Sequence, residues 1–340
     1  MKKSKFLFVS KILRPELFHG DVLRPPLFEG WYFKVVDTTG QHRYAFIPGI
    51  FIGRSDEDSH AFVQVLDGVT GQAAYHRYPA AAFQAAPDEF EVCVGNNRFR
   101  LDHIELDIDT PLQTVRGDLY FDAPISWPVR LLSPGVMGWF AWMPRMECYH
   151  GVLGFDHAVQ GSVEVDGEAH DFSGGRGYIE KDWGHAFPQA WVWMQTNHFQ
   201  QRRTCLTASV AIIPWMGGSF AGFIVGLWRD GHLHRFATYT RSRILELKVG
   251  DQHVRWVMRN HTHRLEINAT RSEGGLLLAP TPQGMGRRIA ETLSAVAAVR
   301  LVNLGTGEVE FEGVGEFAGL ETVGDMERLQ QMALARLFGS

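Results

Sequence analysis

The chain has 340 residues, 45% of them apolar, and a formal charge of −5. That composition supplies a sizeable core for one large or two ordinary domains and excludes a disordered chain. Without a Lys/Arg block, nucleic acid is not the expected partner.

The N-terminus, Met1–Lys11, begins like a signal peptide, but its apolar run from Phe6 to Val9 stops at Ser10 and Lys11, short of a usable hydrophobic region. No apolar stretch approaches the roughly 18–20 residues of a membrane span. Cys93, Cys148 and Cys205 are too scattered for a disulfide framework or zinc knuckle. A soluble cytoplasmic protein is the expectation.

From Phe28 onward the sequence reads as short strands with turn signals. Trp31–Asp37, Arg43–Ile47 and His60–Asp67 come first. Asp166-Gly167 lies between Val163-Glu164-Val165 and Glu168-Ala169-His170, and Asp230-Gly231 between Phe220–Arg229 and His232–Thr240, as type I′ hairpin turns do. Further strands are expected at Ile244–Val249, Val254–Met258, Arg264–Ala269, Ala298–Asn303 and Glu308–Glu312. Strands recurring every 8–12 residues indicate an antiparallel sandwich or barrel.

Pro124–Pro144, with Trp127, Trp139, Trp142 and four prolines, reads as an irregular aromatic loop that caps a pocket or covers a barrel end. Pro280–Arg288 reads as a second long connection. Only Asp325–Phe338 has helical periodicity, through Met326, Leu329, Met332, Ala333, Leu337 and Phe338, with Asp325 as the N-cap. Its apolar face packs on a sheet or touches a membrane or partner. Glu29-Gly30-Trp31 and Asp182-Trp183-Gly184 suggest a weak duplication. The chain is therefore expected to form all-β architecture: two β-barrel-like lobes, residues 20–175 and 176–322, followed by a C-terminal amphipathic helix, 323–340.

The densest chemistry lies in Gly177–Phe199. Alternate side chains of a strand share a face, so Tyr178, Glu180 and Asp182 point one way, and Ile179 and Lys181 the other. Two carboxyls on one apolar wall each disfavour ionisation of the other, and a carboxyl kept protonated is a general acid. The alternative is a strand-edge Glu180–Lys181 ion pair with Asp182 capping a turn. Trp191, Trp193, Gln195 and Asn197 join flat aromatic walls to amides, as a pocket for a polar ring does; equally, they are core tryptophans bonded to those amides. Glu29, Trp31, Tyr32, Glu147 and His150 are further candidates for the pocket, or satisfied core polar groups.

His232/His234 and His261/His263 have same-face spacing but no third ligand, so no metal is expected. No phosphate-binding glycine loop and no nucleophile elbow is present, and no cofactor is expected.

Phe28-Glu29-Gly30-Trp31-Tyr32-Phe33-Lys34-Val35, Glu180-Lys181-Asp182-Trp183-Gly184 with Phe187-Pro188 and Trp191-x-Trp193-x-Gln195-x-Asn197-x-Phe199, and Leu278-Ala279-Pro280-Thr281 with Gly284 resemble the motifs of the tocopherol cyclase family, from about Phe28 to Val314. The resemblance implies paired lipocalin-like β-barrel lobes, as in related carotenoid hydratases and some natural-product cyclases. It also implies an intramolecular lyase or isomerase that protonates a prenylated hydroquinone, whose phenol oxygen traps the cation to close a chroman ring. Plant members often carry Asn at the position of Asp182, which makes Glu180 the more transferable acid.

The residues then take roles: Glu180 or Asp182 as acid, with Lys181 and His185 beside them. Glu29, Trp31, Tyr32, Glu147, His150, Tyr178, Trp183, Trp191, Trp193, Gln195 and Asn197 would bind the substrate. The partner is a hydrophobic small molecule, a prenylated quinol or polyene, and peripheral contact with a membrane would give access to it. The competing readings are a hydratase of polyene lipids and a lipocalin-like carrier without chemistry.

Overall fold

A computed structural model describes residues 9–122 and 124–335. The expected Phe6–Val9 run and the end of the C-terminal helix, Leu337 and Phe338, therefore fall wholly or partly outside the described residues. The chain divides into two compact units. One comprises residues 1–187 with 275–288, the other 188–274 with 289–340.

The first unit contains β1 (Leu27–Val36), β2 (Arg43–Ile52), β3 (His60–Asp67), β4 (Ala73–Pro79), β5 (Phe83–Ala85), β6 (Glu91–Val94), β7 (Asn97–Arg100), β8 (His103–Thr110), β9 (Gln113–Phe121), β10 (Cys148–Val165), β11 (Glu168–Asp171) and β12 (Arg176–Gly184). Their antiparallel sheet runs β4-β3-β2-β1-β12-β10-β9-β8-β7-β6-β5, with β11 on β10, and its ends do not meet among the described residues. It is an incompletely closed barrel. Period-2 alternation sets its inside: in β8, Ile104, Leu106 and Ile108 are buried, whereas Asp107 and Asp109 are exposed. Trp31, Phe33, Val35, Leu153 and Ile179 join them in one core.

β10 is 18 residues long because it bends. It leaves β12 after Ala158 and pairs with β9 from Val159. Gly161 sits at the crossover with φ 114°, where a Cβ would stand 2.2 Å from the Asp118 carbonyl oxygen. Only glycine tolerates that conformation and approach. Asp166 and Gly167 between β10 and β11 have φ of 51° and 87°, the left-handed pair of the expected type I′ turn.

The second unit carries β13 (Trp191–Thr196), β14 (His198–Phe199), β15 (Cys205–Trp215), β16 (Gly218–Arg229), β17 (His232–Ala237), β18 (Arg243–Val249), β19 (His253–Arg259) and β20 (His263–Thr270). It also carries most of β22 (Gly284–Asn303) and all of β23 (Val309–Val323). The sheet runs β17-β16-β15-β13-β23-β22-β20-β19-β18. Val192, Met194, Val210, Phe223, Trp256 and Val299 are among its core residues. Helix Met326–Leu334 packs on it through fully buried Leu329, and Asp325 caps it by accepting the Arg328 N–H at 2.9 Å.

Three sequence expectations change. Pro280–Arg288 is not a long connection: β21 (Gly275–Thr281) turns directly into β22. Its residues fold with the first unit, where Gln64 exchanges two hydrogen bonds with the Leu278 backbone, at 3.0 and 2.7 Å. The strands read as Ala298–Asn303 and Glu308–Glu312 extend to 20 and 15 residues, because β-bulges let the sheet continue through irregular sequence. Finally, Asp182-Trp183-Gly184 does not open a second half. It pairs with the supposed duplicate, Glu29 lying opposite Trp183 and Trp31 opposite Lys181. The compact units accordingly meet in sequence at Phe187/Pro188, one strand later than the 175/176 division.

Candidate active site

β1, β12 and β10 run side by side in the first unit, and their registers define two faces. Gly30 and His150 flank Asp182, while Tyr32 and Val152 flank Glu180. Tyr178, Glu180 and Asp182 share one face, as the strand period requires. Ile179, Lys181 and Trp183 share the other with Glu29, Trp31 and Phe33, and this second face is the barrel core.

On the core face Lys181 is completely buried, its Nζ 2.5 Å from Glu29 Oε1, also fully buried. The ammonium also reaches His19 Nδ1 at 2.9 Å, the Pro15 carbonyl at 3.2 Å and the Leu17 carbonyl. It lies 4.7 Å from the ring centroids of both Trp31 and Trp183. Glu29 accepts the His19 backbone N–H at 2.7 and 2.9 Å. Burial alone would raise the Glu29 carboxyl, but Lys181 and His19 overcome it and hold it below the usual carboxylate range. Burial pulls Lys181 down to about 8 against the attraction of Glu29, and burial with Lys181 lowers His19. The group clamps the segment around Pro15–His19 over the barrel. Lys181 and Glu29, both candidates for catalysis or binding by sequence, lie in this clamp.

On the opposite face, His150 stands between the two carboxylates. Its Nδ1 is 2.9 Å from Asp182 Oδ1, and its Nε2 is 3.8 Å from Glu180 Oε2. Tyr178 donates its hydroxyl to the same Glu180 oxygen at 2.5 Å. Side-chain exposure rises along the chain of groups, from 6% at Glu180 to 15% at His150 and 25% at Asp182. Donor atoms of His150, Glu180 and Asp182 all lie within 4.8 Å of one another, a convergence no sequence spacing displays. The three could hold a metal ion; His150 and Asp182 are joined by a hydrogen bond, which requires a proton between them, while Glu180 stands beyond hydrogen-bond range of His150. Cys148 directs its thiol at Asp182, 3.8 Å away, and burial and Asp182 push that thiol well up, so it stays protonated.

The histidine of this cluster is His150, not His185. His185 Nδ1 instead faces the Pro26 carbonyl at 2.7 Å. Glu147 lies near His185: burial raises its carboxyl, His185 opposes the shift, and its buried Oε2 has no hydrogen-bond partner among the described residues.

His150 also lines an apolar cleft with about 30 Å³ of free space, between Ile12–Leu23 and Pro134–Ala141, with Tyr149 and Trp183 on its wall. Trp183 stacks on His19 at 4.4 Å and on Tyr149 at 5.5 Å. The free space of the cleft is below the ~300–1,000 Å³ of pockets for small organic ligands.

The remaining candidates, Trp191, Trp193, Gln195 and Asn197, belong to the second unit. Val192 and Met194 face its core, and the tryptophans take the other side of β13. Trp191 donates its indole N–H to Glu321 Oε2 at 2.5 Å. Glu321 lies opposite Trp193 on one side and Glu291 on the other, both glutamates being buried. A Cβ at Gly319 would meet the Trp193 ring at 2.7 Å, so glycine there makes room for the indole. Sequence reading missed Glu291 and Glu321. Glu291 is the one acidic residue of its strand and Glu321 one of four in its own; the register, not the spacing, places them together.

A family profile described as "Tocopherol cyclase-like" matches residues 119–324. Tocopherol cyclase from the chloroplast of Zea mays is 30% identical over 179 residues, which are 50% of this chain and 37% of that protein. A probable tocopherol cyclase from Oryza sativa subsp. japonica is 29% identical over 177 residues, with the same coverages. The match thus spans little more than a third of the curated relatives' length. Among solved structures, CghA superposes with a TM-score of 0.57 at 13% identity over 90% of both chains. A putative AttH from Nitrosomonas europaea gives 0.52 at 16% identity, over 90% of this chain and 94% of that one. These likenesses establish the lipocalin-like, two-unit, all-β fold. With the profile covering more than half its length, the chain belongs to the tocopherol cyclase-like family.

Proposed function

We propose that the protein is a cofactor-free cyclase that protonates a prenylated hydroquinone or related polyene and closes a chromanol-type ring. The observation that carries this reading is the Tyr178–Glu180–His150–Asp182 cluster, in which a histidine between two carboxylates also borders an apolar cleft. Glu180 is the proton donor. Its proton adds to the first double bond of the prenyl chain, and the tertiary cation is trapped by the phenol oxygen. The phenolic proton returns to the cluster, so the net change is isomerisation and no redox partner is consumed. His150 and Asp182 hold the returning proton and present it again. The low polarity of the cleft strengthens each electrostatic contact and keeps water from the cation. The carrier reading assigns no role to this cluster.

The test is incubation with a panel of prenylated quinols and polyenes, followed by mass and retention analysis. Cyclisation leaves mass unchanged and shifts retention; hydration adds the mass of water. Glu180→Gln is expected to cut turnover roughly 10²–10⁴-fold, the usual weight of a positioned proton donor, with ligand binding nearly intact. Asp182→Asn is expected to lower turnover less. Turnover insensitive to a chelator separates proton sharing from metal use of the same three donors. Full activity in Glu180→Gln would remove the acid assignment.

A further inference from the structure

Turn tips are ordinarily occupied by Gly, Asn, Asp or Ser. In the aromatic loop the tip is Leu131-Leu132. Arg130 and Ser133 exchange backbone hydrogen bonds at 3.2 and 2.9 Å around it, and the Trp142 indole N–H fixes the Leu131 carbonyl at 2.9 Å. The tip is therefore held in shape with both leucines pointing outward, 63% and 85% exposed. Val129 at 39% and Trp139 at 43% are exposed in the same loop, Trp139 stacked on Phe140 at 4.1 Å. In a chain of net charge −5, residues 124–146 contain no Asp or Glu, and Arg130 and Arg145 are their only charges. Both arginines are exposed.

The geometry points to this loop as a membrane-docking element: Leu131 and Leu132 enter the headgroup–acyl boundary of a lipid surface, and Arg130 meets anionic headgroups. Apolar tips flanked by tryptophan and arginine suit an interface that is apolar below and negatively charged above. A folded protein partner fits less well, because a two-residue convex tip offers little of the ~800 Å² per side that a stable interface buries. The inner side of the same loop, Val136, Met137 and Ala141, lines the cleft bordered by His150. Docking would thus place the cleft entrance near the phase that dissolves a prenylated substrate. The docking stands without the proposed reaction; only its purpose rests on it.

The test is flotation of the full chain with vesicles of phosphatidylcholine alone and of phosphatidylcholine with phosphatidylglycerol. The expected result is partition that strengthens with phosphatidylglycerol and weakens with salt. The double substitution Leu131→Asp/Leu132→Asp should reduce partition about tenfold or more on both vesicles. Arg130→Gln should reduce it only on the anionic ones. Leu112→Asp, which changes another exposed turn leucine of the same unit, should leave it unchanged. Because these side chains are exposed, thermal unfolding and turnover of detergent-dispersed substrate should match the parent in all variants, which separates a failure of docking from a failure of the cyclase reading. The inference is overturned if the parent chain does not partition, if the double variant partitions like the parent, or if Leu112→Asp loses as much.

Discussion

The two faces of β12 carry similar residues to different ends. On one, Lys181, Glu29 and His19 are sealed in the barrel, with no side-chain exposure at Lys181 or Glu29. On the other, one residue away in sequence, Glu180 and Asp182 share His150, and exposure opens toward Asp182. A fully desolvated ion pair holds its charges in place, because losing either partner strands the other's charge in low dielectric. A histidine between two carboxylates at the edge of a cleft has a nearby group to pass its proton to. The comparison teaches that ionisable density in a motif is not by itself chemistry; what matters is where the proton can go.

The sharpest way to break this comparison is to remove the middle group from the open face. His150→Ala should reduce turnover roughly 10²–10⁴-fold, the scale of general acid–base participation, while unfolding in urea changes by about 1 kcal/mol, the cost of one partly exposed hydrogen bond. Loss of fold instead of turnover would make the open face structural too.

The sealed face should behave in the opposite way. Glu29→Met or Lys181→Met alone should cost roughly 3–5 kcal/mol of stability, since each leaves the partner's charge buried and uncompensated. The double variant Glu29→Met/Lys181→Met should lose much less than either single change and keep turnover near the parent level. Urea titrations of the four proteins form the cycle, and a folded but inactive double variant would return Lys181 to the catalytic machinery. The pair also predicts an acid limit. Because Glu29 titrates lower folded than unfolded, its contribution is present above about pH 4.5 and is lost as pH falls through the folded value.

How much of this was legible in the sequence follows from range. The Asp-Gly turns, the alternation in β8 and the Asp325 cap are local signals, and the structure reproduces them. The opposed faces of Glu180 and Lys181 follow from strand period alone. Which face is core does not, since both faces carry ionisable residues; Lys181 lies inside, paired with Glu29 of the adjacent strand. His185, grouped with the acid segment by sequence, is three residues from Asp182, whereas His150, read as a substrate-binding residue, is 32 away and is brought to Asp182 by the β10–β12 register. The Gly-Trp echo between Glu29-Gly30-Trp31 and Asp182-Trp183-Gly184 is real in composition but belongs to two paired strands of one unit. In the loop 124–144, the aromatic content was visible, while the outward leucine tip required the turn.

Glu147 supplies the smallest effect and a control on both faces. It is half-buried beside His185, and its carboxyl is raised chiefly by burial, with Oε2 lacking a hydrogen-bond partner among the described residues. A folded value above the unfolded one means that the folded chain binds the proton more tightly, so stability declines as pH rises from about 4.5 through the folded value. Glu147→Gln removes that ionisation. At pH 7 the variant should melt slightly above the parent; below pH 4, where the parent carboxyl is protonated in both states, the two melting curves should coincide. Partial exposure screens the charge, so the gain is expected to be small. Turnover should change little, because Glu147 is outside the His150 cluster. A large fall in turnover with an unchanged melting curve would instead identify Glu147, the carboxyl whose burial favours the protonated form, as the acid in place of Glu180.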